Sequence, residues 1–122
     1  MSTDHDDTWR DMVALLRALN AGDGQGAAVI LGNADLKRVA AWLARSLPGS
    51  RDRQDAEAVA ARETLGTADV RKLARVVLDR YAAAYVMAAP GAVTEARARE
   101  YIETRLADAL ASGPPSEQES SS

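Results

Sequence analysis

The densest glycine run of the chain, Gly22-Asp23-Gly24-Gln25-Gly26-Ala27, has the residue types of a phosphate cradle, in which backbone amides free of side chains close around a pyrophosphate. That chemistry needs a strand before the glycines and a helix after them. Here a helical pattern precedes Gly22, so the run reads as a turn between helices. Neither Lys37 nor Lys72 follows a glycine and precedes Ser or Thr, which leaves no P-loop.

His5 stands among Asp4, Asp6 and Asp7, residue types that hold a divalent cation. They precede the first apolar residue expected in the core, where no fold fixes ligand geometry, and read as a solvated acidic arm. A lone histidine in that setting cannot serve a nucleophile–base triad. The absence of cysteine removes thiolate nucleophiles, disulfides and zinc–thiolate sites. Asp52, Asp55, Glu57 and Glu63 fall on a polar loop and a weak helix, and Glu63, inside an apolar stripe, is expected to form an edge salt bridge with Arg62 or an arginine of another helix. These residues offer no positioned base, nucleophile or metal set. A non-enzymatic chain without cofactor or metal is the expectation.

The positive charges are denser than the net charge of −3 suggests. Lys37, Arg38 and Arg45 share the polar face of one helix, and Arg51 and Arg53 come next in a loop. Leaving out five acids near the ends (Asp4, Asp6, Asp7, Glu117 and Glu119) turns −3 into +2. A nucleic acid or acidic partner on the Lys37–Arg53 patch is therefore the alternative expectation. A second such face is Arg71, Lys72 and Arg75, on the recognition helix of a helix-turn-helix read across 57–89. Against it, the second helix runs on into a wholly apolar half. Thirteen arginines against two lysines, together with abundant alanine, match the codon use of a GC-rich bacterial or phage genome, so arginine here need not mean bidentate recognition.

The aromatics Trp9, Trp42, Tyr81, Tyr85 and Tyr101 suit either a pocket between helices or gap-filling among small side chains. Arg105 interrupts an apolar stripe one turn after Tyr101. It is expected to stack on that ring or to anchor an interface.

The elements that must position these residues are all helical. Alanine supplies nearly half of the apolar residues, while Leu, Ile and Val together make up just under about a fifth of the chain, a level at which burial becomes scarce. Thr8, with Asp11 three residues on, predicts the start of a first helix with Trp9, Met12, Val13, Leu16 and Leu19 on one face, ended by Gly22. Asp23 caps a short second helix carrying Ala27, Val29, Ile30 and Leu31, stopped by Gly32. Asn33 or Asp35 caps a third, with Leu36, Val39, Ala40, Leu43 and Leu47 as its stripe, Trp42 at its edge and Pro48-Gly49 as its terminator. After a polar loop at 50–53, alanine propensity predicts a helix from Asp55 to Leu65.

Thr67 caps the longest helix, 68–89, with Val70, Leu73, Ala74, Val77, Tyr81 and Tyr85 on one face. Its second half has no charged side chain, and a helix apolar all round is buried all round, in the fold or in an oligomer. Thr94 caps the last helix, 95–111, with Val93 stapled onto Ala98 and a stripe of Ala98, Tyr101, Ile102, Leu106, Ala109 and Leu110.

The sequence thus predicts an all-α, compact five- to six-helix bundle of antiparallel hairpins, with one domain at 8–111 between a disordered acidic arm (1–7) and a disordered Ser/Glu tail (112–122). No leader and no apolar run of membrane-spanning length occurs, so a cytoplasmic chain is expected. The function expected is a protein-interaction module that binds another protein or a second copy through the long helix and the last helix, with Val77, Tyr81, Tyr85, Tyr101 and Arg105 at the interface.

Overall fold

The computed structural model describes residues 2–47, 49–88, 91 and 94–113, with the backbone alone described at 2–6 and 50. Six helices occur in order: α1 (Ser2–Asn20), α2 (Gly24–Asn33), α3 (Leu36–Arg45), α4 (Ser50–Ala60), α5 (Thr67–Ala88) and α6 (Glu95–Ser112). No strand occurs among the described residues, and no helix there is long and apolar enough to cross a membrane. The side chains of Asp4, His5 and Asp6, the Val93 staple, Pro48 and the segment from 114 lie outside what is described.

At the starts of α2, α3, α5 and α6, short polar side chains satisfy free amides, whereas α4 starts after Gly49 with no side-chain cap. The Asp23 carboxylate accepts from the Gly26 amide at 2.8 Å, Asp35 from Arg38 at 3.3 Å, and the Thr94 hydroxyl from Arg97 at 3.2 Å. Asp69 reaches back to the Gly66 amide at 3.2 Å, so Thr67 is the first residue of α5 and Asp69 supplies the cap. Gly32 does not stop α2, which runs one residue further to Asn33. That side chain donates to the Val29 carbonyl at 2.9 Å.

The core is built around α1. Met12, Val13, Leu15 and Leu16 are almost wholly buried, with Trp9 and Leu19 at either end of the same face. α1 packs against α2, α3, α5 and α6, and the surfaces it meets include alanines with no exposure: Ala27, Ala40, Ala44 and Ala74. Leu31, Val39, Leu43, Leu47, Val70, Val77, Ile102 and Leu106 complete the cluster. α6 is tied to α1 by polar contacts as well. Arg17 pairs with Glu103, its Nε donating at 2.8 Å, and the Asn20 amide donates to the Arg99 carbonyl at 3.0 Å.

Three expectations are corrected by this arrangement. First, α1 begins at Ser2, where the sequence predicts a helix start at Thr8. Acidic residues are favoured in the first turns of a helix, and the segment before Thr8 is acidic. Thr8 is consequently a buried residue inside the helix, not a cap, and Asp11 is not part of a capping box.

Second, α4 spans Ser50–Ala60, starting before the predicted Asp55 and ending before Leu65. Asp52 lies in its first turn and pairs with Arg80 of α5 at 2.7 Å, which anchors the segment expected to be a loop. The chain then leaves the helix so that Leu65 turns back onto the core. Glu63 therefore sits exposed in the turn rather than in a stripe, and Arg62 pairs with Asp69 at 3.5 Å.

Third, α5 is not buried all round. Its first half buries one face, while in the second Ala83, Ala84, Val86, Met87 and Ala88 are exposed, and α1 takes the central place.

Two measurements check this packing. Leu16→Ala removes a side chain from the centre of the cluster and is expected to cost about 2–5 kcal/mol in chemical denaturation. Val29→Ala, at a site 60% exposed, is expected to change stability by about 0.5 kcal/mol or less; equal losses at the two sites would contradict the core assignment. The second concerns Asp11, whose carboxyl is raised above its ordinary value by burial and by the nearby Asp7. The folded chain thus holds this proton more tightly than the unfolded one, a contribution that favours folding at low pH and is lost as pH rises through the raised value. Asp11→Asn should raise the melting temperature at neutral pH, with the gain shrinking as the pH is lowered; a gain independent of pH would contradict it.

Candidate functional site

The glycine run that resembled a phosphate cradle is fully used by the turn between α1 and α2. Gly22 adopts a positive φ of 77°, the left-handed conformation that closes a helix end. Asp23 then occupies the Gly26 amide, and a Cβ at Gly26 would collide with that carboxylate. The amide a phosphate would need is already bonded to an aspartate, and the preceding element is a helix.

The aromatics separate into two pairs rather than lining one pocket. Trp9 of α1 and Trp42 of α3 meet edge to face, ring centroids 5.0 Å apart and planes at 66°. The Arg45 guanidinium lies 5.0 Å above the Trp42 ring, a cation–π contact that seals this corner. The Trp9 indole N–H is buried without a hydrogen-bond partner among the described residues. Tyr85 of α5 and Tyr101 of α6 form the second pair, 5.2 Å apart at 42°. Burial pushes the Tyr81 hydroxyl above its ordinary value, while nearby Arg105 works against the rise and Tyr101 adds to it.

Of the five interface residues expected from sequence, Val77 and Tyr85 are buried within the chain, at 2% and 8% exposure, and so belong to the core. Tyr81 and Tyr101 are half-buried and Arg105 is exposed. Helical periodicity missed the surface that is open: Val86 is 45% exposed and Met87 84%, with Ala83 and Ala88 beside them. At 100° per residue, Val86, Met87 and Ala83 lie on the side of α5 away from Tyr81 and Tyr85. The signal was the uncharged run itself, which carries apolar residues on both sides of the helix. Val29 on α2 and Leu110 on α6, 38% exposed, are separate from it in sequence.

The Lys37–Arg53 patch is exposed, but much of it is committed to the fold. Arg38 pairs with Asp35 at 3.5 Å, and Arg45 stacks on Trp42. Arg53 donates to the carbonyls of Arg45 and Leu47 at 3.1 Å each, closing the end of α3 as a side-chain cap. The helix-turn-helix reading meets a different obstacle. α4 packs chiefly on α3, whereas that motif sets its first helix against the second. Arg71, Lys72 and Arg75 remain exposed along an open groove of about 640 Å³ whose other lining residues are Thr67, Ala68 and Val76.

Among the described residues no group of three or more His, Asp or Glu side chains is placed to hold a metal ion. Compared with known proteins, the chain matches no protein family, no curated protein and no solved structure.

The division of labour within the basic patch is testable by a pair of substitutions. Arg53→Gln loses two bonds to helix-end carbonyls and should destabilise the fold by about 0.5–1.5 kcal/mol in denaturant titration. Arg51→Gln, beside it and exposed, should fall within about 0.5 kcal/mol of the parent; the reverse order would assign the structural role wrongly.

Proposed function

We propose that the chain is a non-enzymatic helical interaction module that self-associates through the outer face of the second half of α5. The observation that carries this reading is the uncharged run Tyr81–Ala88, which leaves Val86 and Met87 open to solvent on an otherwise charged surface. Interface cores are depleted in charge and enriched in methionine, whose flexible thioether adapts to a facing surface. The scarcity of large apolar residues elsewhere favours the same conclusion, because burying this face adds stability that the single chain lacks.

α6 supports α5 in this role. Tyr85 against Tyr101 favours an antiparallel hairpin of the two helices, which holds the end of α5 rigid and keeps its outer side clear. In this reading Tyr81, Tyr101 and Arg105 buttress the interface from behind. A cytoplasmic location, and an origin in a GC-rich bacterium or phage, belong to the same proposal.

Sedimentation velocity from low to high micromolar concentration tests it. The parent chain should shift toward a larger species as concentration rises, and the double variant Val86→Asp/Met87→Lys should stay monomeric throughout. Because neither side chain is in the core, the variant should keep the parent's helix content and its melting temperature at low concentration. A parent that stays monomeric at high micromolar concentration, with a melt independent of concentration, would overturn the proposal.

A further inference from the structure

We infer that two copies of the chain associate through α5 in antiparallel, fully overlapped register, so that Met87 of each copy seats in the groove over Ala68 and Val76 of the other. The inference rests on the self-association proposed above and adds its direction, its register and the charged contacts that select both.

The exposed residues of α5 form one stripe rather than two separate sites. At 100° per residue, Ala68, Lys72, Arg75, Asp79, Ala83 and Val86 fall within an arc of about 80°, and all six are exposed. Val76 and Met87 lie just beyond one edge of that arc. The stripe runs nearly the whole length of a helix of 22 residues, about 33 Å. It is cationic toward its start, acidic at its middle and apolar toward its end.

Charges beside the stripe are committed within the chain, and those on it are not. Arg80 holds Asp52 of α4, and Asp69 is held by Arg62. Lys72, Arg75 and Asp79 make no ion pair among the described residues. Arg75 and Asp79 also line a cleft toward the start of α6, but there Arg99 pairs with Glu95 instead. The Arg80 guanidinium holds its proton more tightly chiefly through its bond to Asp52, with Asp79 the least of the contributions.

Charge decides between the two ways of laying this stripe on a copy of itself. Parallel pairing faces Lys72 with Lys72, Arg75 with Arg75 and Asp79 with Asp79, so every charged contact is repulsive. It buries the apolar ends against each other only by bringing both cationic ends together as well. Antiparallel pairing with full overlap sets Thr67 opposite Ala88 of the partner. Asp79 then comes opposite Val76 of the other copy, with Arg75 beside it and Lys72 one turn away, and the two-fold axis makes this contact twice.

The same register brings Met87 opposite Ala68. The groove there, about 640 Å³, has Ala68 and Val76 as its apolar members and Arg71, Lys72 and Arg75 around them. Met87, 84% exposed in the single chain, has the unbranched, flexible side chain that fills an irregular slot. The long cationic side chains cover it with their stems while their charged ends stay in water.

The chain has no cysteine, so introduced thiols report the register. Ala68→Cys and Met87→Cys, both at exposed positions, are made in separate chains and oxidised mildly, alone and mixed. The mixed sample is expected to form the disulfide between the two variants at least tenfold faster than either forms one with itself, because bridging needs Cα atoms within about 7 Å. Arg75→Asp and Asp79→Arg test the charges, since each sets like against like twice. Alone, each should associate about tenfold more weakly than the parent in sedimentation velocity, and an equimolar mixture of the two should regain the parent's affinity. Helix content and melting temperature in dilute solution report that every variant is folded. In a chain that still associates, self-disulfides outpacing the mixed one, or charge reversal without effect, would overturn the antiparallel arrangement and leave self-association standing. A parent chain that stays monomeric overturns both.

Discussion

The fold depends on one unequal contact: large side chains concentrated on α1 pressed against alanines on its neighbours. Met12, Leu15 and Leu16 supply volume, while Ala27, Ala40, Ala44 and Ala74 supply close approach, each wholly buried or nearly so. A methyl group loses no rotamer freedom on burial, so the neighbours contribute surface at little entropic cost. Large side chains of the neighbours, among them Leu43, Val70, Leu73, Val77, Ile102 and Leu106, complete the apolar area that α1 begins. This explains how a chain with few Leu, Ile and Val residues holds six helices together, and why α1 meets four of the other five.

Polar contacts then fix what the core leaves loose. α4, with only Ala56 fully buried, is held at its start by Asp52 on Arg80 and by Arg53 on the end of α3. α6, with Ile102 and Leu106 as its buried residues, is held by Arg17 on Glu103 and by Asn20 on the Arg99 carbonyl. Exposed pairs of this kind contribute modestly one by one, and their effect here is to set position. The consequence for function is that most arginines of the chain are structural, which leaves Arg71, Lys72 and Arg75 as the cationic group most open to recognition.

The helical class, the cap residues Asp23, Asp35 and Thr94 and most of the core stripes were legible in the sequence, because each is a local pattern with a local cause. The start of α4 was not: its Ser50–Arg53 segment looks like a loop until Arg80, far along the chain, supplies a partner for Asp52. Nor was the start of α1, where Thr8 with Asp11 three residues on imitates a cap inside a continuing helix. The interface was half legible. The uncharged run of α5 was visible, but periodicity alone assigned Val77 and Tyr85 to the partner side, and only the placement of α1 and α6 shows which face of α5 is already covered.

Native-state hydrogen exchange across a concentration series tests most directly the claim that α1 is the hub and the end of α5 an association surface. Amides of α1 within 12–19 and of α5 within 70–78 should exchange only through global unfolding at every concentration. Amides at 83–88 should exchange faster in dilute protein and slow as concentration rises. Protection at 83–88 equal to that of α1 in dilute protein, or independent of concentration, would contradict the account.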